Sequence, residues 1–195
     1  MSSHHFVREG QEPDIIVAGC DYDSEILGTL LEWSPRVIAI NDAAEKLLLD
    51  HIKIDEHWIS EAMFELAFPY PLESLFLHDC NAADRIKDFL SSHGKPVYLL
   101  GWREEDIFPL FKALGKNTAP LLIIIGNDKK WLFPGNHGYS KWLPKGWRLT
   151  LTGVAENWHI SPAVEQCWPE IKLTESGLIF LQTNDFEIIG EALYL

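Results

Sequence analysis

Five acids stand where they could share one cation. Asp21, Asp23, Asp42, Asp79 and Asp84 follow short apolar runs or open the stretch after them: IIVAG precedes Cys20-Asp21, VIAI precedes Asn41-Asp42, and SLFL precedes His78-Asp79. Two further runs, VYLLG before Trp102 and LLIIIG before Asn127-Asp128, complete the set. Carboxylates gathered at one edge suit a hard divalent cation such as Mg²⁺ and the phosphates it carries. Asp42, Asp79 and Asp84 are the candidate metal acids. Arg103, two residues after Gly101, is the candidate cation for the phosphates. Asp21 and Asp23, spaced i and i+2, could reach one cation by themselves. The competing use of each acid is to cap the helix that follows it. For any one acid the cap is the simpler reading, and their coincidence at one edge carries the reading as a site.

The elements that must position these residues follow from the same runs. Aliphatic and β-branched runs separated by helical periodicity mark buried parallel strands. The pattern predicts strands at 15–19, 37–40, 74–77, 97–100 and 121–125. It predicts helices from about Ser24 to Trp33 with Ser24 as N-cap, from Asp42 through Leu49, near Asn81–Ser92 closed by His93-Gly94, and near Glu105–Leu114 closed by Gly115. Residues 52–71 are the least regular, and their apolar positions, Trp58 among them, fit one short helix. After Gly126 the period changes from 3.6 to 2, with short strands at 130–133, 148–152, 171–173, 178–182 and 187–193 set off by turn residues. The expected architecture is α/β: an N-terminal open, mostly parallel sheet with flanking helices over 1–125, and a C-terminal antiparallel β-sandwich-like domain over 126–195. Open α/β sheets bind ligands at the carboxyl ends of their strands, where the acids fall.

Composition narrows the partners. The 195 residues carry a net charge of −13, which argues against nucleic acid and against an anionic membrane surface. Residues 1–119 hold 21 acids and 10 bases, whereas 120–195 hold 8 and 6. Three cysteines far apart, Cys20, Cys80 and Cys167, suggest neither a disulfide framework nor a zinc site. With no apolar run of membrane-spanning length, a cytoplasmic protein is expected. The histidines lack the spacing of a zinc helix. No G-x-G-x-x-G follows Gly19, so a dinucleotide fingerprint is absent. Five of eight tryptophans fall in the last 65 residues; Trp131 and Trp147 read as core, and Trp142, Trp158 and Trp168 as turn-placed surface or interface.

The order of elements, together with NAADRIKDFLSSHGKPVYLLGWREEDIFPLFKAL, LLIIIGNDKKWLFPG, LPKGWRLTLTGV and TESGLIFL, resembles the thiamine pyrophosphokinase family. On that resemblance Asp84 matches the acid of a Thr-Asp that opens a helix, with Ala83 in place of the threonine. Gly101 and Arg103 match a glycine-arginine turn, with Trp102 as the middle residue. Glu105 and Asp106 stand at an Asp-His pair, and Asn41-Asp42 at the acid of an Asp-Gly-Gly-Ala-Asn. After Asp55 the family's Gly-Asp-x-Asp-Ser is replaced by Glu56-His57-Trp58-Ile59-Ser60-Glu61, and the family's terminal Ser-Asn is absent. The resemblance implies catalytic Asp84 and Arg103, nucleotide contacts at Asn41, Gly101 and Asp106, and metal acids Asp42, Asp79 and Asp84. It also implies ATP with Mg²⁺, thiamine or a similar small acceptor, and a homodimer. The replaced acids predict weak turnover. A non-catalytic ligand-binding relative, and an α/β enzyme on another nucleotide-linked substrate with an unrelated β-appendage, are the rival expectations.

Overall fold

The computed structural model describes residues 13–60, 74–77, 81–126, 128–152, 158–161, 164–183, 185 and 187–193. These fall into two compact units, 1–102 and 103–195.

The first unit is a parallel α/β sheet. Its strands are β1 (Asp14–Val17), β2 (Val37–Ile40), β3 (Glu56–Ser60), β4 (Ser74–Leu77) and β5 (Val97–Leu100), in the spatial order β5-β1-β2-β3-β4 with every pair parallel. Ile15, Ile16, Val37, Ile38, Leu99 and Leu100 are buried, which is why these strands read as unbroken apolar runs. The helices are α1 (Ser24–Leu31), α2 (Ala43–Leu49) and α3 (Ala82–His93). Each buries one stripe: Leu27 in α1, Ala43, Ala44 and Leu47 in α2, and Ile86, Phe89 and Leu90 in α3. Gly94 ends α3 in the left-handed conformation at φ 64°.

Two expectations are corrected here. The N-cap of α1 is Asp23, whose carboxylate accepts the amides of Glu25 and Ile26 at 2.8 and 3.1 Å; Ser24 is the first helical residue. Trp58 lies in strand β3 rather than in a helix. Its burial beside His57 is possible because both polar rings find partners: His57 Nε2 meets the Asn41 carbonyl oxygen at 2.9 Å, and Trp58 Nε1 donates to Glu56 at 2.7 Å. The rest of the 52–71 expectation lies mostly outside the described residues.

The second unit begins with α4 (Glu104–Thr118), whose Ile107, Leu110, Phe111 and Leu114 form the buried stripe; at Gly115, with φ 73°, the helical path breaks. The strands that follow are β6 (Leu122–Ile125), β7 (Lys129–Leu132), β8 (Tyr139–Leu143), β9 (Arg148–Leu151), β10 (Trp158–Ser161), β11 (Val164–Cys167), β12 (Glu170–Leu173), β13 (Gly177–Thr183) and β14 (Ile189–Ala192). They make two antiparallel sheets, in the orders β11-β12-β9-β14-β7-β6 and β10-β13-β8. Leu149, Leu151, Ile171, Leu173 and Ile189 of the first share one core with Tyr139, Leu143, Trp158, Ile179 and Leu181 of the second, as in a β-sandwich. Trp131 is buried and Trp147 packs against this core, as the strand pattern implied. Trp142 and Trp158 sit in strands rather than turns, and Trp158 is buried.

Candidate functional site

The first sheet reverses its order between β1 and β5: the chain steps outward from β1 through β4, then returns to the other side of β1. Such a switch point opens a crevice at the strand ends, where α/β sheets take ligands. Gly19 follows β1 there and Gly101 follows β5. Gly101 has φ 70°, and a Cβ on it would lie 2.5 Å from the Gly19 carbonyl oxygen. The two loops meet backbone to backbone, which only glycine allows.

The loop after β1 is tied to α2. Lys46 Nζ donates to the Cys20 carbonyl oxygen at 2.7 Å and sits 3.8 Å from the centre of the Tyr22 ring; the Tyr22 hydroxyl donates to Asp50 at 3.1 Å. Asp42 stands at the cap position of α2 but accepts no helix amide, and its carboxylate lies 3.8 Å from the Cys20 thiol. Partial desolvation, with the Asp42 charge adding to it, pushes the thiol of Cys20 above its ordinary value although the residue lies at the surface, so it is held as the thiol rather than as a nucleophilic thiolate. Lys46 was not singled out by the sequence, although its i,i+4 spacing from Asp42 places both on one helix face.

Asn41 splices two strand ends. At φ 50°, a left-handed conformation that asparagine tolerates, its amide N–H donates to the Trp58 carbonyl at 2.8 Å and its side-chain oxygen accepts the Ser60 amide at 2.9 Å. Its side-chain oxygen is therefore engaged in holding β2 to β3. Asp84 is exposed in the first turn of α3; its amide, rather than its carboxylate, joins the cap, donating to Asn81 Oδ1 at 2.9 Å. Asp79 lies outside the described residues. Trp102, next to Gly101, has an indole N–H that is buried without a hydrogen-bond partner among the described residues.

In the second unit Arg103 precedes α4 and is ion-paired with Asp106, with Glu105 at 3.7 Å from its guanidinium. The cation expected to meet phosphate is thus already matched by the acid three residues on.

Among the described residues no group of three or more His, Cys, Asp or Glu side chains could hold a metal ion. The described donors do not fit a protein-built Mg²⁺ cage. No helix among these residues is long and apolar enough to cross a membrane.

No family model and no curated protein matches the sequence. Solved structures do match the fold. The thiamin pyrophosphokinase from Geobacillus thermodenitrificans is similar with a TM-score of 0.64 at 12% identity, over 92% of this chain and 97% of that one. The enzyme from Bacillus subtilis is similar with a TM-score of 0.60 at 17% identity, over 94% and 100%. That from Candida albicans gives 0.65 at 7% identity, over 95% and 91%. The match spans the parallel α/β unit and the antiparallel β-unit alike, and the chain carries the thiamin pyrophosphokinase fold.

Proposed function

We propose that this chain is a thiamine pyrophosphokinase-type protein that binds ATP at the strand-end rim of its first unit and takes thiamine or a similar alcohol as second ligand, in a homodimer. The observation that carries this reading is the extent of the likeness: solved thiamin pyrophosphokinases match 92 to 95% of the chain. An α/β enzyme with an unrelated β-appendage would match over one unit only.

In the reaction so proposed, the acceptor hydroxyl oxygen bonds to the β-phosphorus of ATP while the bond from that phosphorus to the α–β bridging oxygen breaks. AMP leaves with the bridging oxygen, and the hydroxyl proton passes to solvent or a carboxylate. This chain's residues would bind and orient: in the first unit Asp84, exposed at the head of α3, on the acceptor side, with Asn41 and Gly101 supporting the nucleotide and Asp42 and Asp79 as further acids; in the second, Arg103 on the phosphates, with Asp106 acting on the nucleotide only through its ion pair with that arginine. Mg²⁺ would arrive with the nucleotide, held mainly by phosphate oxygens.

A specific observation favours weak turnover. Where the family carries the two acids of its Gly-Asp-x-Asp-Ser, this chain reads Glu56-His57-Trp58-Ile59-Ser60-Glu61. Charge stabilisation acts most strongly at the transition state, so its loss lowers turnover more than binding. Calorimetry with ATP and thiamine, beside an AMP-release assay, tests the reading. Binding of both with slow AMP release that Asp84→Ala abolishes supports it; binding without any release supports the non-catalytic relative. Rapid release untouched by Asp84→Ala overturns the assigned site.

A further inference from the structure

The outer face of the larger antiparallel sheet carries a groove in which three basic side chains outnumber two acids, Asp128 and Glu170, and which the reading above does not use. Strand alternation turns Leu149, Leu151, Ile171 and Leu173 into the shared core and leaves Arg148, Thr150, Glu170 and Lys172 on the opposite face. With Lys129 from β7 and Asp128 just before it, these residues line a groove of about 430 Å³, inside the roughly 300–1,000 Å³ range of small-molecule sites. Three of the six basic residues of 120–195 meet there, in a chain whose net charge is −13.

The cations are not placed as a neutral solvated face would place them. Arg148 and Lys172 are direct cross-strand partners, an arrangement in which like charges repel. Neither makes an ion pair among the described residues. Glu170 lies 3.7 Å from Lys129 instead, and Glu165, in register with Lys172, makes no ion pair with it. The opposite face of the same sheet shows the contrast: there the buried Glu191 takes Lys130 of its own sheet and Lys141 of the facing one, so both lysines have a carboxylate partner.

We propose that this outer groove is a binding site for a phosphorylated small molecule, held through a diphosphate or phosphate group by Arg148 and Lys172, with Lys129 and the Thr150 hydroxyl as further donors. The guanidinium offers two parallel N–H groups to an oxyanion, the lysines offer point charges, and the hydroxyl adds a neutral donor. A doubly charged anion also relieves the repulsion between the opposed cations. The negative charge of the chain as a whole disfavours a nucleic acid in this role.

Inorganic pyrophosphate is the probe, titrated calorimetrically into the full-length chain at fixed ionic strength. Saturable binding is expected, weakened about tenfold or more by Arg148→Gln and by Lys172→Gln, less by Arg148→Lys, and not by Lys116→Gln on α4. Without ligand, Arg148→Gln should melt at or above the parent temperature, because one of two opposed like charges is gone. No saturable binding at millimolar pyrophosphate overturns the proposal, as does unchanged binding in Arg148→Gln and Lys172→Gln. Loss of binding in Arg103→Ala instead would put the anion at the nucleotide site and equally overturn it. Sulfate binding as tightly as pyrophosphate rejects a phosphate site, and a lower melting temperature of unliganded Arg148→Gln would show a structural role for the arginine.

Discussion

Gly19 and Gly101 occupy one another's side-chain space. A Cβ on Gly19 would stand 2.7 Å from the Gly101 carbonyl oxygen, and a Cβ on Gly101 would stand 2.5 Å from that of Gly19. Gly101 also has φ 70°, where a side chain is strained. Gly101→Ala is therefore expected to destabilise the first unit by about 2 kcal/mol or more, from strain plus the displaced loop. Gly28, inside α1 with nothing within 4 Å of its would-be Cβ, is the control: Gly28→Ala should stabilise by roughly 0.5–1 kcal/mol. Urea unfolding of both variants checks the pair; equal midpoints would show that the contact does not constrain the loops.

How far the sequence discloses this molecule depends on how each strand is buried. β1, β2, β5 and β6 were legible because buried strands are apolar at nearly every position. β3 was not, since Glu56-His57-Trp58-Ile59-Ser60 hides its polar groups by pairing them with Asn41 and with one another, which no local pattern announces. β8 escaped for a related reason. Tyr139-Ser-Lys-Trp-Leu143 presents Trp142 outward and Lys141 to the buried Glu191, so its alternation is inverted in part. At the candidate site Asp42 was legible as an acid just past β2, and a cap was the simpler reading for Asp23, but other local uses were not legible. The uncapped Asp42, the Asn41 splice and the Arg103–Asp106 pair depend on backbone angles and side-chain directions.

Glu191 is buried between Lys130, at 3.3 Å, and Lys141, and it accepts the Tyr139 hydroxyl at 3.1 Å. Burial by itself would raise its carboxyl pKa, but the two lysines and the hydroxyl outweigh it and hold the value below the ordinary 4.5. A depressed carboxyl contributes stability that is present above 4.5 and lost as pH falls through the lower folded value. The β-unit should therefore lose stability on acidification below about pH 4.5, and Glu191→Gln should flatten that part of the profile. At pH 7 the same change is expected to cost about 2–4 kcal/mol, since it leaves two lysines without their buried partner. Thermal midpoints from pH 3 to 7 check both; a profile unchanged by Glu191→Gln would remove this carboxylate as the cause.

Leu178 and Trp142 are cross-strand partners on β13 and β8, each 62% exposed, and Phe180 two residues along is 40% exposed. An apolar patch of this kind marks an interface, and aromatic residues dominate such interfaces. Combined with the homodimer proposed above, it predicts light scattering at twice the chain mass and dissociation of that species by Trp142→Asp. Because Trp142 is exposed in the single chain, the variant monomer should stay folded by circular dichroism. A parent chain that runs at single mass at micromolar concentration would overturn the prediction.

Arg103 and Asp106 form the pair on which the nucleotide assignment turns. The arginine side chain is 73% exposed and that of its partner 36%, so the pair is solvent-screened and holds the guanidinium only weakly, by about 0–1 kcal/mol. A nucleotide phosphate carrying more than one charge competes well with a single exposed carboxylate for the same planar donor. Asp106→Asn removes that competition and is expected to tighten ATP binding by a few-fold. Arg103→Ala should weaken it by about tenfold, and the double variant should resemble Arg103→Ala, since the acid acts only through the arginine. The alternative is that Asp106 itself touches the nucleotide, in which case Asp106→Asn weakens binding and the double variant is worse than either single change. Calorimetric ATP titration of the four proteins decides between these outcomes, and tighter binding in Asp106→Asn alone would identify the ion pair as a brake on the site.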